Sequence, residues 1–228
     1  MATKEKDTNK ELEVEEIVSK SEQFIENNSK KIIYGIIALA LVVGAVLGIK
    51  HGYLIPQEKK AAAAMFKGEQ YFAKDSFNLA LNGNGADYEG FEAIIDQYGS
   101  TSAGNLAKAY AGICYSKMGE NEKALDLLKS FSGSDEMVSP AITGLIGDCY
   151  VNMGNLKEGI SYFEKAAKQA NNEVISPAYL KKAGIAYENL KQYGDAVKAY
   201  TTIKEKYFNS MEASDIDKYI TRASALNK

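Results

Sequence analysis

The 228-residue sequence has one histidine, His51, two cysteines, Cys114 and Cys149, three prolines and no tryptophan. A serine triad, a two-histidine metal site and a carboxylate facial triad all need imidazoles that this chain does not have. The cysteines do not stand at zinc or redox spacing. The scarcity of proline fits a helical protein better than one of strands and turns. We therefore predict no metal, no cofactor and no catalytic residues.

The sequence also has no excess of positive charge, because it contains 27 lysines and arginines and 30 aspartates and glutamates, for a net charge of −3. A nucleic-acid-binding chain usually presents a basic surface that releases counterions from phosphates. We therefore expect no nucleic-acid partner. A composition of 46% hydrophobic and 25% charged residues is that of a folded chain with one or two domains.

Charge is missing altogether from residues 32–49, which follow Lys30 and Lys31 and precede Lys50. Extended a few residues toward Ile55, the segment reaches the ~30 Å hydrocarbon thickness of a bilayer. A cleaved signal would have a shorter leader and a small-residue cleavage site, and a buried core helix seldom runs this long without a polar face. We predict a single transmembrane anchor at residues 32–55.

The lysines beside this segment predict its orientation, since Lys30 and Lys31 abut one end and only Lys50 abuts the other. We predict a cytoplasmic N-terminus, with the domain of residues 56–228 outside the cytoplasm. Residues 1–31 are a charged arm, which we predict to be partly helical because apolar residues recur at helical spacing within residues 10–28. The arm either contacts a partner or the headgroups, or is a solvated lead-in to the span.

Residues 109–131, 144–166 and 181–203 align position by position at offsets of 35 and 37. Four aligned positions keep their character: Gly112, Gly147 and Gly184; Tyr115, Tyr150 and Tyr187; Ala124, Gly159 and Ala196; Leu128, Phe163 and Tyr200. Small residues let two short antiparallel helices approach closely, and large residues fill the space beside the crossing. The sequence therefore predicts three helix pairs.

The flanking segments extend this pattern. Residues 61–80 and 88–98 predict a degenerate pair before the three clear ones, and residues 211–226 predict a capping helix with one apolar side. Ser139 and Ser176 each precede a proline, and we expect them to be N-caps. Gly119 and Gly154 stand between paired helices, where the chain turns back.

This pattern resembles the tetratricopeptide repeat, although the usual early tryptophan is absent. The resemblance implies an all-α solenoid whose first helices line a protein-binding groove, without the clamp for chaperone C-termini. It places candidate groove residues at Leu106, Ala109, Ile113, Lys117, Asp148, Val151, Asn152, Lys181, Ile185, Glu188 and Asn189. Cys114 and Cys149 hold equivalent positions too far apart for easy disulfide formation, so we expect buried thiols, with an oxidised pair as the alternative.

A charged arm, one span and a repeat domain together resemble the bitopic tetratricopeptide proteins of bacterial inner membranes. Among these, the chain resembles the YfgM-like ancillary subunits of the Sec translocon. Residues 90–100 and 103–115 also resemble repeat proteins common in the Bacteroidetes. The resemblance implies a periplasmic scaffold whose partners are translocon subunits, chaperones or envelope assembly factors. An adaptor in cell-wall or outer-membrane assembly remains the alternative. An enzyme is a third possibility, which would show itself by a cleft that gathers several ionisable groups with shifted pKa values.

Overall fold

The computed structural model describes residues 27–227, and no strand occurs among them. These residues fall into two compact units, divided between Pro56 and Gln57, which are described separately. Most of the predicted N-terminal arm lies outside the described residues.

The first unit contains helix α1, residues 27–49, and a π-helical turn at Lys50–Leu54. The apolar side chains of α1 are exposed, and its most apolar 18-residue window has no buried residue. By length and composition this helix can cross a bilayer.

The second unit is a series of antiparallel helix pairs, and this confirms the predicted α-solenoid. Its helices are α2 (Ile55–Ala73, from residue 57 onward), α3 (Phe77–Asn82), α4 (Phe91–Tyr98), α5 (Ser102–Lys117), α6 (Asn121–Ser130), α7 (Val138–Asn152), α8 (Leu156–Ala170), α9 (Ile175–Asn189), α10 (Tyr193–Lys206) and α11 (Ile216–Leu226). The clear pairs are α5 with α6, α7 with α8, and α9 with α10. A 3-10 turn, Glu212–Asp215, and α11 cover the end of α10.

The three aligned glycines lie at matching helix crossings, as predicted. A Cβ atom on Gly112 would stand 2.6 Å from Leu128 Cγ, and one on Gly147 would stand 2.7 Å from Phe163 Cδ1. A Cβ atom on Gly184 would stand 2.6 Å from Tyr200 Cζ. Each glycine thus faces the large residue sixteen positions later in its own pair, and the repeated sequence pattern is a repeated contact.

The degenerate first pair has the same crossing, since a Cβ atom on Gly68 would stand 2.7 Å from Phe91 Cζ. The prediction of one helix over residues 61–80 is wrong, however. The helix ends at Ala73, and Asp75 adopts a φ of 54° that breaks it before α3. The short α3 is held against the pair because the Tyr88 hydroxyl donates to the carbonyl of Ala80 at 2.7 Å.

The predicted serine N-caps are also wrong, because α7 and α9 each begin one residue before the serine. The Asp135 carboxylate accepts from the backbone amide of Met137 at 2.9 Å and that of Ser139 at 3.2 Å. The hydrogen bond from the Ser139 hydroxyl, together with these amides, lowers the pKa of Asp135 to about 2, so the carboxylate stays charged at neutral pH.

Asn172 takes the equivalent place before α9, where its side-chain oxygen accepts from the amides of Val174 at 3.0 Å and Ile175 at 2.8 Å. Ser176, which is fully buried, instead donates to the carbonyl of Ala167 at 2.7 Å. The serine therefore ties the end of α8 to the start of α9, and the asparagine caps the helix.

The turns within the pairs use a left-handed residue, with a φ of 82° at Gly119 and 81° at Gly154. In the third pair Lys191 takes this position with a φ of 59°. A residue with a Cβ atom is disfavoured in this conformation, whereas glycine is not.

We expect Lys191→Gly to raise the free energy of unfolding by about 0.5–1 kcal/mol, because it relieves that backbone penalty. Gly119→Lys, the reverse exchange at the first turn, should lower it by about 1 kcal/mol. Urea unfolding of the full chain in detergent micelles measures both. Effects of the same sign from the two exchanges would contradict this account of the turns.

Candidate protein-binding groove

The first helices of the pairs form one continuous face, which we call the first-helix face. Successive members of the series α5, α7 and α9 contact one another, whereas in the described part of the chain the second helices α6, α8 and α10 make no comparable contacts with each other. Helices in closer contact occupy the inner side of a curved stack. The first-helix face is therefore the concave side of the solenoid.

The candidate groove residues differ in how much surface they present. Ala109 is only 3% exposed and belongs to the core, so it offers a ligand almost no surface. Five of the others are exposed: Leu106, Lys117, Asn152, Ile185 and Asn189. Five are partly buried: Ile113, Asp148, Val151, Lys181 and Glu188.

Three of the four charged members of this set, Asp148, Lys181 and Glu188, are paired within the solenoid, and the fourth, Lys117, is exposed. Lys182 Nζ on α9 lies 2.7 Å from the Asp148 carboxylate on α7. Lys181 Nζ lies 2.8 Å from Asp215, and this pair joins α9 to the turn before α11. These ion pairs run between neighbouring elements along the first-helix face.

The Glu188 carboxylate accepts three hydrogen bonds from two neighbouring helices. Arg222 of α11, the only arginine in the sequence, donates to its two carboxylate oxygens at 2.9 and 3.0 Å. The Tyr200 hydroxyl of α10 donates to the same carboxylate at 2.7 Å. Burial acts to raise the pKa of Glu188, but Arg222 and Tyr200 outweigh it and hold the pKa below its ordinary value. Glu188 therefore joins α9, α10 and α11 as a charged acceptor.

Lys182, Arg222 and Asp215 were not among the residues predicted for this face. Each stands 34 residues from its partner, which is about one repeat length. Opposite charges at the repeat spacing are a signal that could have found them. Outside these ion pairs, the exposed candidate residues are apolar at two positions and polar at three: Leu106 and Ile185; Lys117, Asn152 and Asn189.

Cys114 and Cys149 are free and buried, which confirms the expectation of buried thiols. Cys149 Sγ lies 3.6 Å from Ser116 Oγ of the preceding pair. Burial raises the pKa of Cys114 to about 12 and that of Cys149 above its ordinary value. Both thiols therefore stay protonated and unreactive at neutral pH.

A separate cleft of about 460 Å³ lies between α2 and α4. Its charged groups include Lys67 and Asp87, which form an ion pair with each other. Hydrogen bonds from Asn84 and Lys67 lower the pKa of Asp87. Within residues 27–227 no three or more histidine, cysteine or carboxylate side chains are grouped so as to hold a metal ion.

Comparison with known families supports this description of the repeats. Residues 144–173 match one family model and residues 178–210 match another, both described as tetratricopeptide repeat. No curated protein matches the chain.

Two crystal structures of a putative kinesin light chain from Podosopora anserina, with nearly identical TPR-like repeats, are similar in fold. Each has a TM-score of 0.50 and 14% sequence identity, over 76% of this chain and 86% of that one. At this identity the similarity concerns the fold alone. Tetratricopeptide repeats indicate a scaffold for protein–protein contacts.

Proposed function

We propose that this tetratricopeptide-repeat chain is a membrane-anchored scaffold that binds a protein through its first-helix face. The observation that carries the proposal is the contrast within that face. Three of its four charged candidate residues, Asp148, Lys181 and Glu188, are paired internally. By contrast, the apolar Leu106 and Ile185 are 37% and 40% exposed. Exposed apolar side chains on a concave face fit an apolar segment of a partner.

The anchor is residues 32–55, with the N-terminus in the cytoplasm and residues 56–228 in the periplasm. The exposed apolar surface of α1 supports an anchor, and Lys30 and Lys31 support the orientation. Protease added to intact cells should spare the repeat domain and should degrade it once the outer membrane is opened. Survival of the repeat domain after the outer membrane is opened would contradict the proposed topology.

The partners we propose are translocon subunits or periplasmic chaperones, so that the scaffold assists translocation or chaperone handover at the inner membrane. The alternative is an adaptor whose partners build the cell wall or outer membrane. In both cases the first-helix face makes the contact, and the identity of the partner separates them.

Site-specific photocrosslinking in membranes tests both the face and the partner. A crosslinker at position 106 or 185 should capture protein, whereas one at Lys157 or Lys198, exposed on second helices, should not. Translocon or chaperone adducts support the first function, and wall or outer-membrane assembly factors support the alternative. Equal capture from both faces would contradict the groove.

Ile185→Asp should reduce the adduct at position 106 several-fold, because a charge in an apolar contact is costly.

A further inference from the structure

The first helices of the pairs begin, and the second helices end, at the same edge of the solenoid. We call this edge the starting edge. Hydrogen bonds connect successive pairs along it. Asn172 Nδ2, before α9, donates to the carbonyl of Glu136, before α7, at 3.5 Å. Lys206 Nζ, at the end of α10, donates to Asn171 Oδ1, at the end of α8, at 2.7 Å. The loops therefore lie side by side at one edge.

The beginning of the second unit belongs to the same edge. The Glu58 carboxylate, at the start of α2, accepts from the backbone amides of Ser102 at 2.7 Å and Ala103 at 2.9 Å. These amides open α5. The point at which the chain enters the solenoid is therefore on the starting edge.

Exposed apolar side chains recur along this edge at the repeat spacing. Met137, Val174 and Met211 stand 37 residues apart, and they are 52%, 67% and 88% exposed. Phe208 lies close by in sequence and is 66% exposed. After residue 57, six large apolar side chains of the described chain are more than half exposed, and these four are among them. Single exposed apolar residues are common on protein surfaces, but a periodic row is not.

We propose that the starting edge rests on the lipid surface, with these side chains in the headgroup region. The inference depends on the membrane anchor proposed above. The proposed span ends at residue 55, two residues before the solenoid begins, so chain connectivity holds the start of α2, which belongs to this edge, near the bilayer. A single-sided row of methionine, valine and phenylalanine is suited to the boundary between headgroups and acyl chains.

The charges on this edge are mixed. Lysines occupy the last turns of all three second helices, and acidic residues stand in the loops beside them: Lys129, Lys168, Lys204 and Lys206; Asp135, Glu136, Glu173 and Glu212. The apolar side chains, and not attraction to anionic lipid, therefore supply the contact. Contact should persist at high salt and in uncharged phosphatidylcholine vesicles.

Depth-dependent quenching tests the contact on the full chain. A polarity-sensitive fluorophore is attached after Met211→Cys, or after Val174→Cys, and the protein is reconstituted in phosphatidylcholine vesicles with lipids brominated near the headgroup. The native thiols do not compete for the label because they are buried. Met118→Cys places the same probe at the opposite edge, beyond the end of α5, which is ~24 Å long.

Brominated lipid should reduce the fluorescence of probes at 211 and 174 by about twofold or more, since interfacial side chains lie about 5–10 Å into the headgroup boundary. The probe at 118 should not respond. A chain that fails to float with the vesicles removes the anchor and this inference together. A floating chain with an unquenched probe at 211 overturns the inference and leaves the anchor standing. If the probe fluorescence changes with the density of protein in the vesicles and not with bromination of the lipid, the edge contacts a second copy of the chain. That result also overturns the proposed lipid contact.

Discussion

Gly184→Ala is expected to lower the free energy of unfolding by about 1–3 kcal/mol, because overpacking a closed helix crossing is destabilising. The added Cβ atom would stand 2.6 Å from Tyr200 Cζ and 2.8 Å from its Cδ1. Tyr200 is fully buried, so its ring has no open space into which it could move.

Electrostatic contacts also hold the Tyr200 ring in place. Its hydroxyl donates to Glu188 at 2.7 Å, and Glu188 is bound at both oxygens by Arg222. Moving the ring would therefore break a hydrogen bond to a largely buried carboxylate, in addition to losing packing. We expect the damage to include α11, which contributes Arg222.

Gly194→Ala is the matched control, because Gly194 is helical but its added Cβ atom would meet nothing closer than 3.5 Å. This change should be neutral or should stabilise the protein by up to about 1 kcal/mol, as alanine is the better helix former. Urea unfolding in detergent micelles gives both values, and hydrogen exchange locates the loss. A Gly184→Ala protein as stable as the Gly194→Ala protein would show that the crossing does not require glycine.

The crossings could be predicted from sequence because each is a local contact between residues sixteen positions apart. Three copies of the same spacing make the small and large residues recognisable without any knowledge of the neighbouring pairs. The break at Asp75 could not be predicted in this way, since it depends on a single left-handed residue in the degenerate pair, which has no second copy.

The predicted serine N-caps of α7 and α9 were wrong for a different reason. Asp135 and Ser139 both carry an oxygen that can accept backbone amides, and both precede an apolar helix. The Ser139 hydroxyl donates to the Asp135 carboxylate at 2.7 Å, and this carboxylate caps the helix. A sequence does not rank two competing caps, because the choice depends on what the rest of the loop can satisfy.

The groove was predicted one residue at a time, by analogy with a family. That approach treats Glu188 or Lys181 as available to a ligand and does not ask whether the next repeat supplies an opposite charge. In this chain Asp215 and Arg222 do so. The consequence is a concave face on which fewer charged side chains are available to a ligand than the sequence suggests.

Phe91→Ala should lower the free energy of unfolding by about 3–5 kcal/mol, as expected for truncating a fully buried aromatic side chain. Phe91 has no exposed surface and stacks on Tyr110 of α5 with ring centroids 5.2 Å apart. It also fills the crossing opposite Gly68. One side chain therefore joins α4 to both α2 and the first clear pair.

Phe66→Ala is the control within the same pair, because Phe66 on α2 is 62% exposed. It removes the same atoms from the surface and should change stability by less than about 0.5 kcal/mol. Both variants are measured by urea unfolding of the full chain in micelles. Similar losses for the two would mean that the first pair packs differently from the structure.

The position of the loss along the solenoid is as informative as its size. Each pair of a solenoid contacts only its neighbours, so a defect at Phe91 should weaken the first pair and α5 most and should fade along the stack. Hydrogen exchange should therefore accelerate in α2, α4 and α5 and stay near its original rate in α9 and α10. Uniform acceleration would instead show that the degenerate pair unfolds together with the whole array, and the repeats would then act as one cooperative unit and not as a chain of neighbours.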